Sequence, residues 1–413
     1  MDIIIGAGIS GLSYAAFCGH RDYLMFEKSD KIGGYCKTTE RNGFVWDYSG
    51  HFFHFKNKDI EQYVAQGIPA DDLLTIHKNT QIRYKDRLID YPFQMNIHQL
   101  PQQEFIDCLY DLFENPITEY SNFQEMLYAK FGKSIADKFL IPYNSKLYAC
   151  DLNSLDKDAM GRFFPYAEKE QIVRNFKASN NATYNASFVY PKHGAIQYVN
   201  SIASHVNGEC IRKSEMVVAI HPREHSVTLQ SGEKIHYDRL ISTIPFPKLM
   251  ELVVEENNSA LSWNQVLVFN IGFDKQGLDT KNHWIYFPED AYCFYRVGFY
   301  SNILGSERCS LYVELGFTKD ARINAEEWLP RVLDDLKKAQ IISADMKVVD
   351  YEAIVMDPAY VHVSAEGMRY VAEQKQQLAQ ADIYSIGRYG SWTYCSIEDN
   401  IIEAKELANI LNR

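Results

Sequence analysis

Much is missing from this 413-residue chain, and each absence narrows what it can be. No apolar run approaches the roughly 20 residues of a membrane-spanning helix. No basic segment precedes the apolar start Met1-Asp-Ile-Ile-Ile, so no secretory leader is expected. The 8 cysteines, at 18, 36, 108, 150, 210, 293, 309 and 395, stand singly with no C-x-x-C pair. That usage argues against a metal site or a disulfide framework and for a reducing, cytoplasmic setting. Positive charge is short: 42 Lys and Arg against 54 Asp and Glu leave a net −12. Nucleic acid is therefore not an expected partner, and an anionic ligand would need a local cluster of arginines. There is no internal repeat and no low-complexity linker. With 46% hydrophobic and 23% charged residues, the chain resembles a globular protein of two or three domains. Aromatics are plentiful at 14%, with 28 Tyr, which suits sugar and nucleotide ligands or an aromatic core alike.

What is present begins at the N-terminus. Ile3-Ile-Ile5 predicts a short buried strand. Gly6, Gly8 and Gly11 follow as G-x-G-x-x-G, then Leu12, Ala15 and Ala16 in a small-residue helix that stops near Gly19. A second apolar strand, Tyr23-Leu-Met-Phe, ends in Glu27, 21 residues after Gly6. Each part has a job in holding a dinucleotide. Gly6 permits the tight turn, Gly8 lets backbone amides approach a pyrophosphate, and Gly11 lets helix and strand pack closely. The helix N-terminus, with Ser10 in its first turn, stabilises phosphate charge, and Glu27 can accept from ribose hydroxyls, with Lys28 beside it. The alternative is a strand-helix-strand unit whose glycines serve packing alone. A second glycine pair, Gly33-Gly34-Tyr35-Cys36-Lys37-Thr38, comes just after the acid, followed by Gly43-Phe-Val-Trp-Asp-Tyr-Ser-Gly50-His51. A nicotinamide dehydrogenase has no need of this loop. It resembles the second glycine loop of FAD enzymes in the amine oxidase and phytoene desaturase superfamily, with Lys37 where many members carry Arg.

Further along, a helix is expected over 57–67 and a hairpin over 79–90. Pro101, the spacing of Phe105, Ile106, Leu109, Leu112 and Phe113, and a capping box at Ser121-x-x-Gln124 predict helices as far as Tyr148. Cofactor-domain character returns at 187–245, including Val217-Val218 and the strand from Asp238. Residues 264–317 alternate as strands, and Asn324-x-x-Glu327 starts a helix. Ile383 to Gly390 is a strand feeding a glycine turn at Gly387, before a final helix from about Asp399. The fold class expected is α/β. A Rossmann-like FAD-binding domain takes 1–78 with 185–245 and 380–413, a helical insertion takes 97–184, and an antiparallel sheet domain takes 79–96 with 246–379.

Two arginines, Arg296 and Arg388, lie near Tyr286, Tyr360 and Tyr394 in these predicted strands and turns. Two guanidinium groups among tyrosine hydroxyls suit a diphosphate. Singly, each reads more readily as an ordinary surface residue or ion-pair member. The motifs around them, Trp284-Ile-Tyr-Phe-Pro-Glu-Asp290, Phe294-Tyr-Arg-Val-Gly-Phe-Tyr-Ser-Asn302 and Gly387-Arg-Tyr-Gly-Ser-Trp-Thr-Tyr394, are similar to those of the UDP-galactopyranose mutase family, nearer its eukaryotic-type branch. So are Tyr91-Pro-Phe-Gln-Met-Asn-Ile-His-Gln-Leu-Pro101 and Pro142-Tyr-Asn-Ser-Lys-Leu-Tyr148, although His51-Phe-Phe-His54 is closer to the bacterial branch.

The resemblance implies pyranose–furanose interconversion of a UDP-hexose, with reduced FAD N5 attacking the anomeric carbon, in cell-surface glycan synthesis. By it, Tyr91 and Phe139 sandwich the uracil and Gln94 bonds its edge. Asn144 and Tyr148 hold the nucleotide. Arg296 and Arg388, the catalytic pair, bind the diphosphate with Tyr286, Tyr360 and Tyr394, while Arg162 and Asn185 approach the sugar. His51 lies beside the flavin. Gly50, Val218, Gly387, Arg388 and Tyr394 complete the cofactor wall. Trp284 joins the substrate set or serves packing. NADPH or NADH is a candidate reductant, and a homo-oligomer is compatible. Two other classes stay open: an FAD-dependent oxidase or desaturase, and a non-catalytic flavoprotein that binds nucleotide sugars.

Overall fold

The computed structural model describes residues 1–19, 22–178, 181, 186–254 and 260–412. Asp2–Ile5 lies at the centre of a five-stranded parallel sheet among the described residues. Tyr23–Glu27 and then Ile211–Lys213 extend it on one side, Arg239–Ser242 and then Ile383–Ser385 on the other. Parallel strands covered on both faces read as continuous apolar runs rather than alternating ones, and Ile3, Ile4 and Ile5 do. The helix Ile9–Phe17 packs Leu12 and Ala15 against Ala404 and Ala408 of the last helix, Ile397–Leu411. Val199 and Ile202 of Ile196–Ala203 close the same core.

The larger sheet runs in the order Val348–Met356, Ser262–Phe273, Ser310–Thr318, Arg296–Phe299, Trp284–Tyr286, Thr80–Tyr84, Arg87–Asp90, with Val361–His362 added beside Ser262. Its pairings are antiparallel except one. Trp284–Tyr286 and Thr80–Tyr84 run parallel, because the strands come from distant segments and no hairpin joins them. The helix Ala325–Lys338, capped by Asn324, lays Val332 and Leu336 over Leu267, Phe269 and Ile271 on one face of this sheet.

The helical body comprises Gln102–Phe113, Phe123–Ile135 and Ile141–Tyr148, the last two joined by a wide turn over Ala136–Leu140. Gly132 breaks the middle helix at φ 73°, and a Cβ there would lie 2.5 Å from the Asp111 carbonyl oxygen, so only glycine fits. The start of that helix differs from the sequence expectation. Asn122 is the cap, its side chain accepting from Glu125 N at 2.9 Å, while Ser121 N and Oγ donate to the Glu125 carboxylate. The box is shifted by one residue because Asn, like Ser, caps well. A helix over Ala365–Ala379 and the strand Val348–Met356 were not anticipated. The helix buries only Gly367, Val371 and Leu378, too few apolar positions to show a period.

Two polar residues fasten these parts together. The three N–H groups of the Lys146 ammonium are shared among four backbone carbonyls, those of Phe287, Glu289, Tyr292 and Phe294, at 2.7–3.0 Å, and so hold the loop between Trp284–Tyr286 and Arg296–Phe299. The Asp47 carboxylate, wholly buried, accepts from Thr38 Oγ1, Tyr190 Oη and Ala195 N at 2.5, 2.8 and 3.0 Å. Its carbonyl accepts from Asn270 Nδ2 of the large sheet at 2.8 Å. Burial pushes the Asp47 pKa up to about 6 against these donors. Asp47→Ala would leave three buried donors unpaired. It should lower stability by roughly 2–5 kcal/mol, read as a fall in the urea midpoint of the purified protein.

Candidate functional site

The site is built outward from the first glycine turn. Gly6 has φ +99°, which admits the turn, and a Cβ on Gly11 would stand 2.0 Å from the Gly6 carbonyl oxygen, so packing alone requires that glycine. Gly8 differs. A Cβ there would meet only the Gly34 backbone, at 3.7 and 3.9 Å, and otherwise open space. Glycine at this position leaves room for a ligand rather than for the protein. The second glycine pair is docked onto the first, with Gly33 N donating to Ala7 O at 2.8 Å. The Glu27 carboxylate ties the turn from below, accepting from Ala7 N and Ser29 N, both at 2.9 Å. No side chain caps the helix that begins at Ile9, so its first amides face the same space.

That space opens into a cavity of about 1830 Å³, lined at this end by Gly6, Gly8, Ser10, Glu27, Lys28, Gly33, Gly34 and Tyr35. Gly50, His51 and Ser396 line its middle. Gly387 lies just behind, where a Cβ would be 2.4 Å from Ser10 Oγ. Val218 does not line it. The side chain is 40% exposed because strand alternation turns Val217 inward and Val218 out, and Glu215, Met216 and Val217 form the wall instead.

At the far end the large sheet contributes one row of polar side chains. Tyr286, Arg296 and Glu314 are consecutive cross-strand partners on three adjacent strands. Arg296 donates Nε to Glu314 Oε2 at 2.5 Å and Nη2 to Oε1 at 2.7 Å. Ser49 Oγ also donates to Glu314, tying this row to the glycine loops. Among the described residues Nη1 of Arg296 has no protein partner. Arg388 donates Nη1 to the Cys395 carbonyl at 2.9 Å, and its guanidinium lies 4.5 Å from the Tyr394 ring centroid and 5.6 Å from that of Tyr360. Tyr286 is buried and Arg296, Arg388 and Tyr360 are half-buried, and each of these pKa values lies above its ordinary value, so all four remain donors. Burial and the Arg388 charge pull His51 down to about 4, which leaves its ring neutral.

The remaining expected residues divide. Tyr91, Phe139, Asn144, Arg162, Trp284, Tyr286, Tyr360 and Tyr394 line the cavity. Phe139 has ring neighbours stacked at 5.2 and 5.3 Å, Phe93 and Tyr143, whereas Tyr91 meets Tyr286. Phe139 and Tyr91 therefore do not form an open slot as they stand. Gln94 and Tyr148 are buried behind the wall, Gln94 donating to the Pro165 carbonyl. Arg162, at the mouth, donates to both Asp399 oxygens at 2.6 and 2.8 Å. Asn185 lies outside the described residues. Tyr143 and Glu314 were missed in the sequence. Tyr143 falls four residues after Phe139 on the same helical face, and Glu314 is the one acid in the apolar strand Ser310–Thr318.

The residues fit a dinucleotide. The room above Gly8, the uncapped first amides of the helix and the Glu27 carboxylate match one, and Asn144 Oδ1, Tyr295 Oη and Trp392 Nε1 stand on the cavity wall without partners among the described residues. Residues 4–66 match the NAD(P)-binding Rossmann-like domain family. A crystal structure of reduced UDP-galactopyranose mutase superposes with a TM-score of 0.91 at 25% identity, over 99% of this chain and 93% of that one. Coproporphyrinogen III oxidase of Staphylococcus aureus (strain NCTC 8325 / PS 47) is 22% identical over 281 residues, 59% of this chain and 60% of that protein. The zeta-carotene-forming phytoene desaturase of Myxococcus xanthus is 31% identical over 90 residues, 21% of this chain and 17% of that protein. The chain thus spans less than two thirds of the length of these curated relatives. No described helix is long and apolar enough to cross a membrane.

Two outcomes follow from this geometry. Gly8→Val should keep its circular dichroism but lose bound flavin, measured as absorbance per protein, whereas Gly11→Val should fail to fold. For His51 the folded pKa is near 4 and the unfolded one 6.5. Between these values the unfolded chain binds the extra proton, so stability falls as pH drops through the window, by on the order of 3 kcal/mol in full. Asp47 acts in the opposite sense below pH 6 in wild type and variant alike. The difference between wild type and His51→Asn should therefore show a shallower acid loss in the variant, by urea titrations at pH 6.5 and pH 4.5.

Proposed function

The chain is placed by fold and sequence in the FAD-dependent amine oxidase/desaturase superfamily, and within it we propose a flavin-dependent mutase that interconverts the pyranose and furanose forms of a UDP-hexose, with UDP-galactose as the first substrate to try. One observation carries this reading: two half-buried arginines lining the cavity that also holds the dinucleotide cradle. An apolar substrate would give no return on burying them, whereas a diphosphate matches their charge and geometry. Gly8, Ser10, Glu27, Lys28, Gly33 and Gly34 would hold reduced FAD, which would supply the nucleophile for the anomeric carbon when bound.

The protein's share is positioning and electrostatics. As the anomeric C–O bond breaks, charge grows on the β-phosphate. Arg296, through the edge Glu314 leaves free, and Arg388 stabilise that charge, with Tyr286 and Tyr360 as neutral donors. Glu314 cancels part of the Arg296 charge, which keeps the empty pocket from holding two bare cations. A neutral His51 adds no third cation beside the flavin. Trp284, Tyr91 and Phe139 wall the nucleotide end. Tyr143 covers one face of Phe139, so uracil stacking there requires the Tyr143 ring to swing aside.

The test is dithionite-reduced protein incubated with UDP-galactose or UDP-galactofuranose, followed by product analysis. Interconversion without stoichiometric use of reductant is expected. Oxygen uptake with peroxide released in step with product would instead make this an oxidase, as the porphyrin-related sequence match is by name. UDP binding without turnover would leave a binding protein. In a second measurement, Arg296→Ala should retain flavin and lose roughly 30- to 1000-fold in kcat/KM, much of it in kcat, because the contact strengthens as charge develops. Arg296→Lys should recover only part, lacking the planar fork that Glu314 and a phosphate share.

A further inference from the structure

Large apolar side chains stand out into solvent along one helix of the helical body. On Gln102–Phe113, Ile106 is 46% exposed, Tyr110 66% and Phe113 51%, and Ile117 just beyond is 43% exposed. Steps of four and three residues put the first three within about 60° of arc. The opposite side of the same helix buries Cys108 and Leu112. This is why Ile106 and Phe113 look like core in the sequence yet face outward. Among the described residues, a partner covers only one of this helix's two apolar stripes.

The borders of the exposed stripe differ in charge. On one side lies the helix Lys169–Lys177: Phe105 meets Phe176 at 5.3 Å, and Lys169 Nζ sits 5.6 Å from the Phe113 ring centroid. That helix adds Val173, itself 40% exposed, and the exposed Lys177. On the other side the helical wheel places Asp107 and Glu114.

We propose that this face docks a second copy of the chain across a two-fold axis running along the Gln102–Phe113 helix. The four apolar side chains expose on the order of 400 Å² per copy, and the charged borders extend this toward the ~800 Å² per partner of stable interfaces. Charge selects the orientation. Rotation about an axis along the helix brings the acidic border of one copy over the basic border of the other, with the two helices parallel. Rotation about the perpendicular in-plane axis would set acid on acid and base on base. The same Lys169–Lys177 helix turns Gln171 and Arg174 toward the large cavity, so the partner would brace one of its walls from outside. None of this depends on the proposed reaction.

Sedimentation velocity at micromolar concentration should give a dimer for wild type and a monomer for Tyr110→Glu, with flavin content and circular dichroism unchanged. Lys169, beside Phe113, stands at the height of Glu114 in the parallel pair, so Glu114→Lys and Lys169→Glu should each weaken the dimer, and the double variant should restore it. Orientation is read by oxidative cross-linking over the wild-type background. In a parallel pair Ile106→Cys and Phe113→Cys each join to their own copy, whereas in an antiparallel pair only Tyr110→Cys does. A monomeric wild type, or a dimer that survives Tyr110→Glu, overturns the proposal, and cross-linking confined to Tyr110→Cys overturns its orientation.

Discussion

The site rests on the register of three strands. Tyr286, Arg296 and Glu314 meet because each is the direct cross-strand partner of the next. A guanidinium out of water needs a counter-charge with good geometry, and Glu314 provides it through two hydrogen bonds. A one-residue slip in any of the three strands would turn one of these side chains to the opposite face and strand the others. The long, mostly buried pairing of Ser310–Thr318 with Ser262–Phe273 opposes that slip. Hydrophobic residues thus place the charged ones.

The second requirement is that this row meet the glycine loops, which come from a different sheet. Polar contacts make that junction. Ser49 reaches Glu314 from the loop side, Asn270 reaches the Asp47 carbonyl from the sheet side, and Tyr300 Oη accepts from Asp47 N. Buried polar contacts of this kind are costly to leave half-made, so the two sheets are held in one relative position. These contacts thereby help set the distance between the cradle at Gly8 and the arginine row.

Local signals in the sequence were read correctly where a short segment decides the outcome. The first glycine turn, Glu27 at its offset, the helix capped by Asn57 and the hairpin about Lys85-Asp86 are of this kind. Arg296, Tyr286, Arg388 and Tyr394 came from longer motifs and do converge on the cavity. What escaped was anything set by pairing between distant segments. Glu314 lies 18 residues from Arg296, and no local pattern links them. Gln94 and Tyr148 carry groups suited to a nucleotide, but packing against Pro165, and against Tyr360 and His362, puts them behind the wall. Val218 shows the smallest such error, one residue along a strand.

Lys146 closes four carbonyls around its ammonium as a crown ether closes around potassium. The difference is that the cation is tethered to the chain. It cannot be diluted, chelated or exchanged for another, and because burial pulls the Lys146 pKa down to about 8, it is a rise in pH and not a change of salt that removes its charge. The loop that spaces Tyr286 from Arg296 is thus templated by an ion the protein carries with it, so its shape is independent of mineral supply.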